Sequence, residues 1–259
     1  MSSPGPSVPA LERALAILEA LGNARAGLTS AQVARQLNLP KSSVHYLVQT
    51  LDRAGYIHRE PGARTYRLSL RFCELASRAL RGMGIRDEAR PVLRMLCNST
   101  GLVTHLGILE DGSAVIIEKM EPPQPVRVAT WVGKRMSVHC TALGKALIAY
   151  LPEAQIDQLL ISHPLLRHNE NTIGSVQKLK EELALVRRRG YALDDEEEEI
   201  GWRCVGAPIL GDDDLPLGAI SVVGRTSSVD AENYPQLAQR VRDAARDIAA
   251  RFTAPPHAA

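Results

Sequence analysis

The sequence predicts an α+β protein in two parts, an N-terminal winged helix-turn-helix and a larger C-terminal domain built on an antiparallel sheet. Three observations carry this. Three short helix-period segments before Gly55 are followed by two alternating segments around a tight turn. Beyond Gly101, strand-like runs come in pairs joined by turn residues, with helical segments before, between and after them. Charge divides the same way: through Arg86 there are twelve Lys/Arg against five Asp/Glu, a balance of +7, and the remainder carries −5. The expected boundaries are a disordered tail over 1–8, the winged unit over 9–69, a linker helix over 70–86, the second domain over 87–253 and a tail over 254–259.

Leu11, Leu15, Ile17, Leu18 and Leu21 supply the apolar face of a first helix, which Gly22-Asn23 ends. Thr29 is a good N-cap for the second, with Gln32 three residues on as its capping-box partner. Ala31, Val33, Ala34 and Leu37 make its buried side. Asn38-Leu39-Pro40 is a short turn, and Pro40 suits the start of a third helix that buries Val44, Leu47, Val48 and Leu51. Gly55 sits where a left-handed residue ends that helix. Tyr56–Glu60 and Thr65–Ser69 alternate like strands on either side of Pro61–Arg64. A hairpin directly after a helix-turn-helix is a wing.

The start of the third helix is polar where it faces outward: Lys41, Ser42, Ser43, His45, Tyr46 and Gln49. Such groups hydrogen-bond base edges and phosphates in a major groove, and a helix N-terminus favours phosphate. Arg59, Arg64 and Arg67 of the hairpin offer cations to phosphates or a minor groove. With Thr29 at the head of the second helix and the positive balance of the segment, these residues point to double-stranded DNA.

Leu70, Cys73, Leu75, Ala76 and Leu80 recur at helical spacing up to the glycines at 82 and 84, giving a linker helix whose stripe packs on the domains or pairs with a second copy. A further helix to about Thr100 presents Ala89, Val92, Leu93 and Leu96, and Gly101 closes it. Val103–Leu109 and Ala114–Glu118 form a hairpin, Val126–Val132 is expected as a strand, and Ala142–Leu151 as a short apolar helix stopped by Pro152. Val176, Leu179, Leu183 and Val186 mark a helix that ends at Arg187–Arg189 and Gly190. Cys204–Leu210 and Leu217–Val223 are strands, and Leu237, Val241, Ala244, Ile248 and Phe252 line a final helix. On the last strand Leu217, Ala219, Ser221 and Val223 share one face, so Ser221 is a lone polar group on an apolar wall.

No apolar run approaches the roughly 18 residues of a membrane helix, and the start lacks the segments of a signal peptide. Cys73, Cys97, Cys140 and Cys204 lie far apart, which argues against a zinc or disulfide framework and fits a reducing cytoplasm. No cofactor motif or metal-ligand set is expected. His105 and His163 are expected to be structural, and the acidic run from Asp194 to Glu199 to be an exposed loop. An enzyme is disfavoured: Cys204 opens an apolar strand, and Cys140 beside His139 makes no dyad by adjacency. A DNA-architectural protein leaves two-thirds of the chain without a purpose.

Leu39-Pro-Lys-Ser-Ser-Val-His45 followed by Leu51-Asp-Arg-Ala-Gly-Tyr-Ile57 resembles the recognition-helix region of the IclR family of transcriptional regulators. The likeness continues in His139–Ala146, Arg189–Glu197 and Gly201–Pro208, in the family's order and across nearly the whole chain. Relatives more often carry Arg where this chain has Tyr46, a change that removes a bidentate guanidinium contact.

The resemblance implies a GAF-like effector domain and a homodimer on a pseudo-palindromic operator, with a dimer of dimers left open. It further implies that Ala142 and Leu143 offer backbone amides to an effector carboxylate, that Asp194, Cys204 and Ser221 are polar contacts, and that Val128 and Met136 are apolar wall. Val223 joins that wall. Relatives that bind very small oxo-acids often have Ser-x-Ser on the last strand, where this chain has Ser221-Val-Val223. Fewer polar partners offset desolvation less, so a larger or partly apolar organic acid is the expected effector.

Overall fold

The computed structural model describes residues 7–124 and 127–253. Residues 1–6 of the expected N-terminal tail, the tail over 254–259 and Val126 of an expected strand lie outside them. The chain divides into two compact units, Met1–Gly82 and Met83–Ala259. No helix among the described residues is long and apolar enough to cross a membrane.

The first unit contains α1 (Pro9–Gly22), β1 (Leu28–Thr29), α2 (Ser30–Gln36), α3 (Lys41–Arg53), β2 (Ile57–Arg59), β3 (Thr65–Leu68) and α4 (Arg71–Arg81). Ile17, Leu21, Val33, Ala34, Val44, Val48 and Ile57 form its core. The capping box at Thr29 and Gln32 is present, and Gly55 takes the left-handed conformation at φ 77°. The wing is an antiparallel β2–β3 pair, to which β1 adds a third strand in the order β1-β3-β2. Sequence periodicity is silent on β1 because a two-residue strand has no period to show.

Three apolar residues expected inside this unit are exposed. Leu11 and Leu15 are 58% and 52% exposed, while α1 buries Ile17 and Leu21 as expected, together with Ala20; Ala31 is exposed as well. Periodicity marks a face that avoids water without saying which surface covers it. The same holds for α4, none of whose residues is buried. Its start is nevertheless fixed to the head: Arg71 donates to Ala54 O at 2.8 Å and stacks over Tyr56, and Ser69 Oγ donates to Gly55 O.

The second unit contains α5 (Gly84–Thr100), β4 (Val103–Glu110), β5 (Ser113–Met120), β6 (Arg135–Met136), α6 (Ala142–Ile148), α7 (Glu153–Ser162), α8 (Val176–Arg189), β7 (Ala192–Asp195), β8 (Trp202–Leu210), β9 (Pro216–Arg225) and α9 (Tyr234–Thr253). The strands form one antiparallel sheet in the order β6-β5-β4-β9-β8-β7. One face carries α5 and α9; the other carries α6, with α8 packed behind it. Gly206 lets α6 approach the sheet, because a Cβ there would meet the Ala142 backbone at 2.7 Å.

Four expectations need correction. Residues 127–132 are irregular rather than a strand, because their carbonyls turn to ammonium donors: Lys119 Nζ donates to Val128 O and Thr130 O, and Lys134 Nζ to Ala129 O. The short edge strand β6 comes after them. The apolar helix ends at Ile148, not Leu151, and Pro152 instead precedes α7, which periodicity missed. On α9 the buried positions are Ala238, Val241, Ala245 and Ile248, while Phe252 is 40% exposed. The acidic run is no exposed loop, since Asp194 and Glu197 are buried.

Candidate functional site

In the first unit, α3 opens after Pro40 with no side-chain cap, leaving first-turn amides free to meet an anion. Lys41, Ser42, His45, Tyr46 and Gln49 are exposed on it, and Ser43 is half-buried. Lys41, Ser42, His45 and Tyr46 share a shallow depression with Ser30 and Ala31 of α2, which accounts for the exposure of Ala31. Tyr46 is 70% exposed, with its ring edge-on to His45. Thr29 stands apart, because its hydroxyl accepts from Gln32 N and donates to Gln32 Oε1 within the cap. Arg59 and Arg64 project from the wing into solvent. Arg67 is half-buried and ion-paired with Glu60 at 2.8 Å, so part of its charge is already balanced.

In the second unit, Val128, Met136, Ala142, Leu143, Asp194, Cys204, Ser221 and Val223 all line one cavity of about 90 Å³. On that measure a single water needs about 10–15 Å³, so the space matches roughly six to nine waters or one compact organic molecule. A larger groove of about 980 Å³, open to solvent and lined by Tyr150, Lys180, Arg187 and Asp214 among others, gathers none of these residues.

Each wall has a local cause. Ser221 lies between Ile220 and Val222, which face the opposite side of β9, and pairs in register with His105 of β4. Asp194 and Cys204 are register partners across β7 and β8, so their side chains share the cavity face. Thr141 caps α6 by accepting from Gly144 N at 3.0 Å. The first-turn amides of Ala142 and Leu143 have no intrahelical acceptor and border the cavity. Val128 and Thr130 ride on the irregular segment held by Lys119, which also pairs with Glu121 at 2.7 Å.

Several lining residues escaped the sequence. His105, expected to be structural, lies on the wall with its Nε2 2.8 Å from Thr130 Oγ1. Trp202, Ile116, Lys134 and Glu198 line it too. His105 could have been found by alternation along β4, where it shares a face with Gly107; Glu198 had no such signal.

Electrostatics set the polar end. Burial pushes the Asp194 carboxyl up to about 7; Glu197 adds to the rise, while Lys145 and amide bonds from Glu197 and Glu198 oppose it. Burial drives His105 down to about 3, with Lys119 and Lys134 reinforcing it, so the ring is neutral. Burial also raises the Cys204 thiol, with the Asp194 carboxylate adding to it, and this thiol stays protonated. Neither Cys204 nor nearby Cys140 is an activated nucleophile: Cys140 is likewise raised by burial and donates to Glu198 Oε2 at 3.0 Å. Behind the cavity, buried Lys145 meets Glu197 at 2.5 Å and Glu182 at 3.9 Å.

The chain matches the family model described as bacterial transcriptional regulator IclR C-terminal over residues 77–250, and the IclR helix-turn-helix domain over residues 10–61. It is 35% identical to the HTH-type transcriptional regulator XynR of Escherichia coli, over 92% of this chain and 95% of that protein. It is 28% identical to the transcriptional repressor IclR of Escherichia coli, over 93% and 89%. Among solved structures, the Thermotoga maritima IclR superposes with a TM-score of 0.79 at 28% identity, covering 95% of this chain and 99% of that one. An IclR homologue from Microbacterium hydrocarbonoxydans, solved in complex with 4-hydroxybenzoate, superposes with a TM-score of 0.80 at 25% identity, covering 94% and 98%.

Proposed function

The chain belongs to the IclR family of bacterial transcriptional regulators, and we propose that it is an effector-responsive regulator that binds a pseudo-palindromic operator as a homodimer and holds a small organic acid in its cavity. Its relatives are transcriptional regulators. Such a protein works in the cytoplasm, on double-stranded DNA.

The observation that carries the effector reading is the convergence of eight residues from separate segments on one cavity. Apolar walls with a few convergent polar groups are how small-ligand sites are built. The α6 amides suit the acid's carboxylate, Asp194 and Ser221 suit a hydroxyl, and Val128, Met136 and Val223 suit an apolar body. The homologue solved with 4-hydroxybenzoate supports a compact, partly apolar acid.

DNA binding is assigned to Lys41, Ser42, Ser43, His45, Tyr46 and Gln49 of α3 and to Arg59 and Arg64 of the wing, with Arg67 and Thr29 in supporting places. The uncovered apolar residues Leu11 and Leu15 of α1, Leu75 of α4 and Leu70 at its N-cap support pairing with a second copy. Two heads then meet half-sites about 34 Å apart. An effector shifts the heads only through different affinity for two arrangements of the dimer.

Calorimetric titration with a panel of acids, followed by mobility shift with operator DNA, tests this. The expected result is saturable binding of a compact aromatic or aliphatic acid that alters the shift. Binding confined to glyoxylate or pyruvate would reject the size argument.

A further inference from the structure

The fold gathers His139 and Cys140, in the turn before α6, with His168, in the loop between α7 and α8. One ligand atom from each lies within 4.8 Å of the others. Glu198, from the loop after β7, joins them: its Oε2 is 3.0 Å from Cys140 Sγ and 3.6 Å from His168 Nε2. We propose that His139, Cys140 and His168 bind one divalent metal ion of borderline softness, zinc by preference, with Glu198 as fourth ligand.

Donor chemistry and geometry both favour this assignment. Imidazole, thiolate and carboxylate are the groups that zinc takes, nearly always four at a time and tetrahedrally in a closed site. With bonds of about 2.0–2.3 Å, a tetrahedral set has edges of about 3.3–3.6 Å. The separations of Glu198 from Cys140 and His168 lie close to that range, and a swing of its carboxylate toward His139 completes the set. The imidazoles of His139 and His168 are nearly parallel, 21° apart, with centroids at 6.2 Å. His139 Nε2 is 3.0 Å from Leu166 O, an acceptor that keeps the proton on Nε2 and leaves the Nδ1 lone pair for a metal. A carbonyl in that role is the usual outer support of a ligating histidine. His139 and Cys140 are buried, whereas His168 is exposed and gives the ion a way in. On binding, Cys140 loses its proton to solvent, and thiolate and carboxylate together neutralise the ion.

Without a metal these residues still make a hydrogen-bonded cluster, so the test must separate the two. Full-length protein stripped with a chelator is titrated with zinc against a chromophoric competitor, then with cobalt. The expected result is one ion per chain bound with a dissociation constant below ~1 μM, and a cobalt complex with a tetrahedral visible spectrum and a sulfur-to-metal charge-transfer band. Cys140→Ala removes the charge-transfer band. His168→Gln, at an exposed position where folding is not at stake, weakens zinc by about tenfold or more. Binding no tighter than micromolar in the wild type, or wild-type affinity and cobalt spectrum in His168→Gln, overturns the proposal.

Discussion

Lys145 Nζ lies 2.5 Å from Glu197 Oε1, and both side chains are buried, so an ion pair fastens α6 to the loop after β7 behind the cavity. Removing one partner strands the other charge, which costs about 3–5 kcal/mol. Lys145→Met is therefore expected to lower unfolding free energy by about that much, and Lys145→Met with Glu197→Leu to recover most of it. Denaturant titration of the three proteins checks this; additive losses in the double variant would contradict the pairing.

Asp194→Ala and Ser221→Ala are expected to leave operator affinity intact while abolishing the response to effector. Both residues line the cavity, and neither belongs to the DNA-binding unit. A normal response in both variants, measured by mobility shift, would reject the pocket.

Lys41→Ala and Arg64→Ala are expected to weaken binding to every DNA sequence alike. Removing one phosphate-binding cation flattens the slope of log affinity against log salt by about 0.9. Arg67→Ala is expected to change the slope less, because Glu60 already balances that guanidinium. Affinities measured at several salt concentrations separate these outcomes.

The Asp194 carboxyl is raised to about 7 by burial and Glu197, against the pull of Lys145, from an unfolded value of about 3.9. The folded state therefore holds the extra proton between about pH 4 and 7, and this residue's contribution to stability falls as pH rises through that window. His105, lowered to about 3, acts in the opposite sense between about 3 and 6.5. The difference between Asp194→Asn and wild type isolates the first effect: the variant should gain relative stability from pH 4 to 7. Unfolding midpoints across that range that run parallel would contradict it. An anionic effector should also bind less tightly above about pH 7, and Asp194→Asn should flatten that dependence.

Much of this was legible because the signals are local. The Thr29–Gln32 cap, the turn at Asn38–Pro40 and the left-handed Gly55 fix the head from residues that lie next to one another. Ser221 was found by alternation on β9, and family likeness supplied Asp194 and Cys204. What stayed hidden was long-range. Lys145 and Glu197 look like surface charges until β7 and α6 are packed together. His139 and His168 meet only through the α7–α8 loop. Residues 127–132 have the composition of a strand, but Lys119 and Lys134 hold their carbonyls away from any ladder.

The central claim is that occupancy of the cavity in the second unit changes the grip of the first on DNA. Operator affinity of the full-length protein, measured with and without a saturating acid identified by calorimetry, tests it most directly. The account predicts a shift of about fivefold or more, matched by an equal shift in acid affinity when operator is bound. An acid that fills the cavity yet leaves operator affinity unchanged would contradict it.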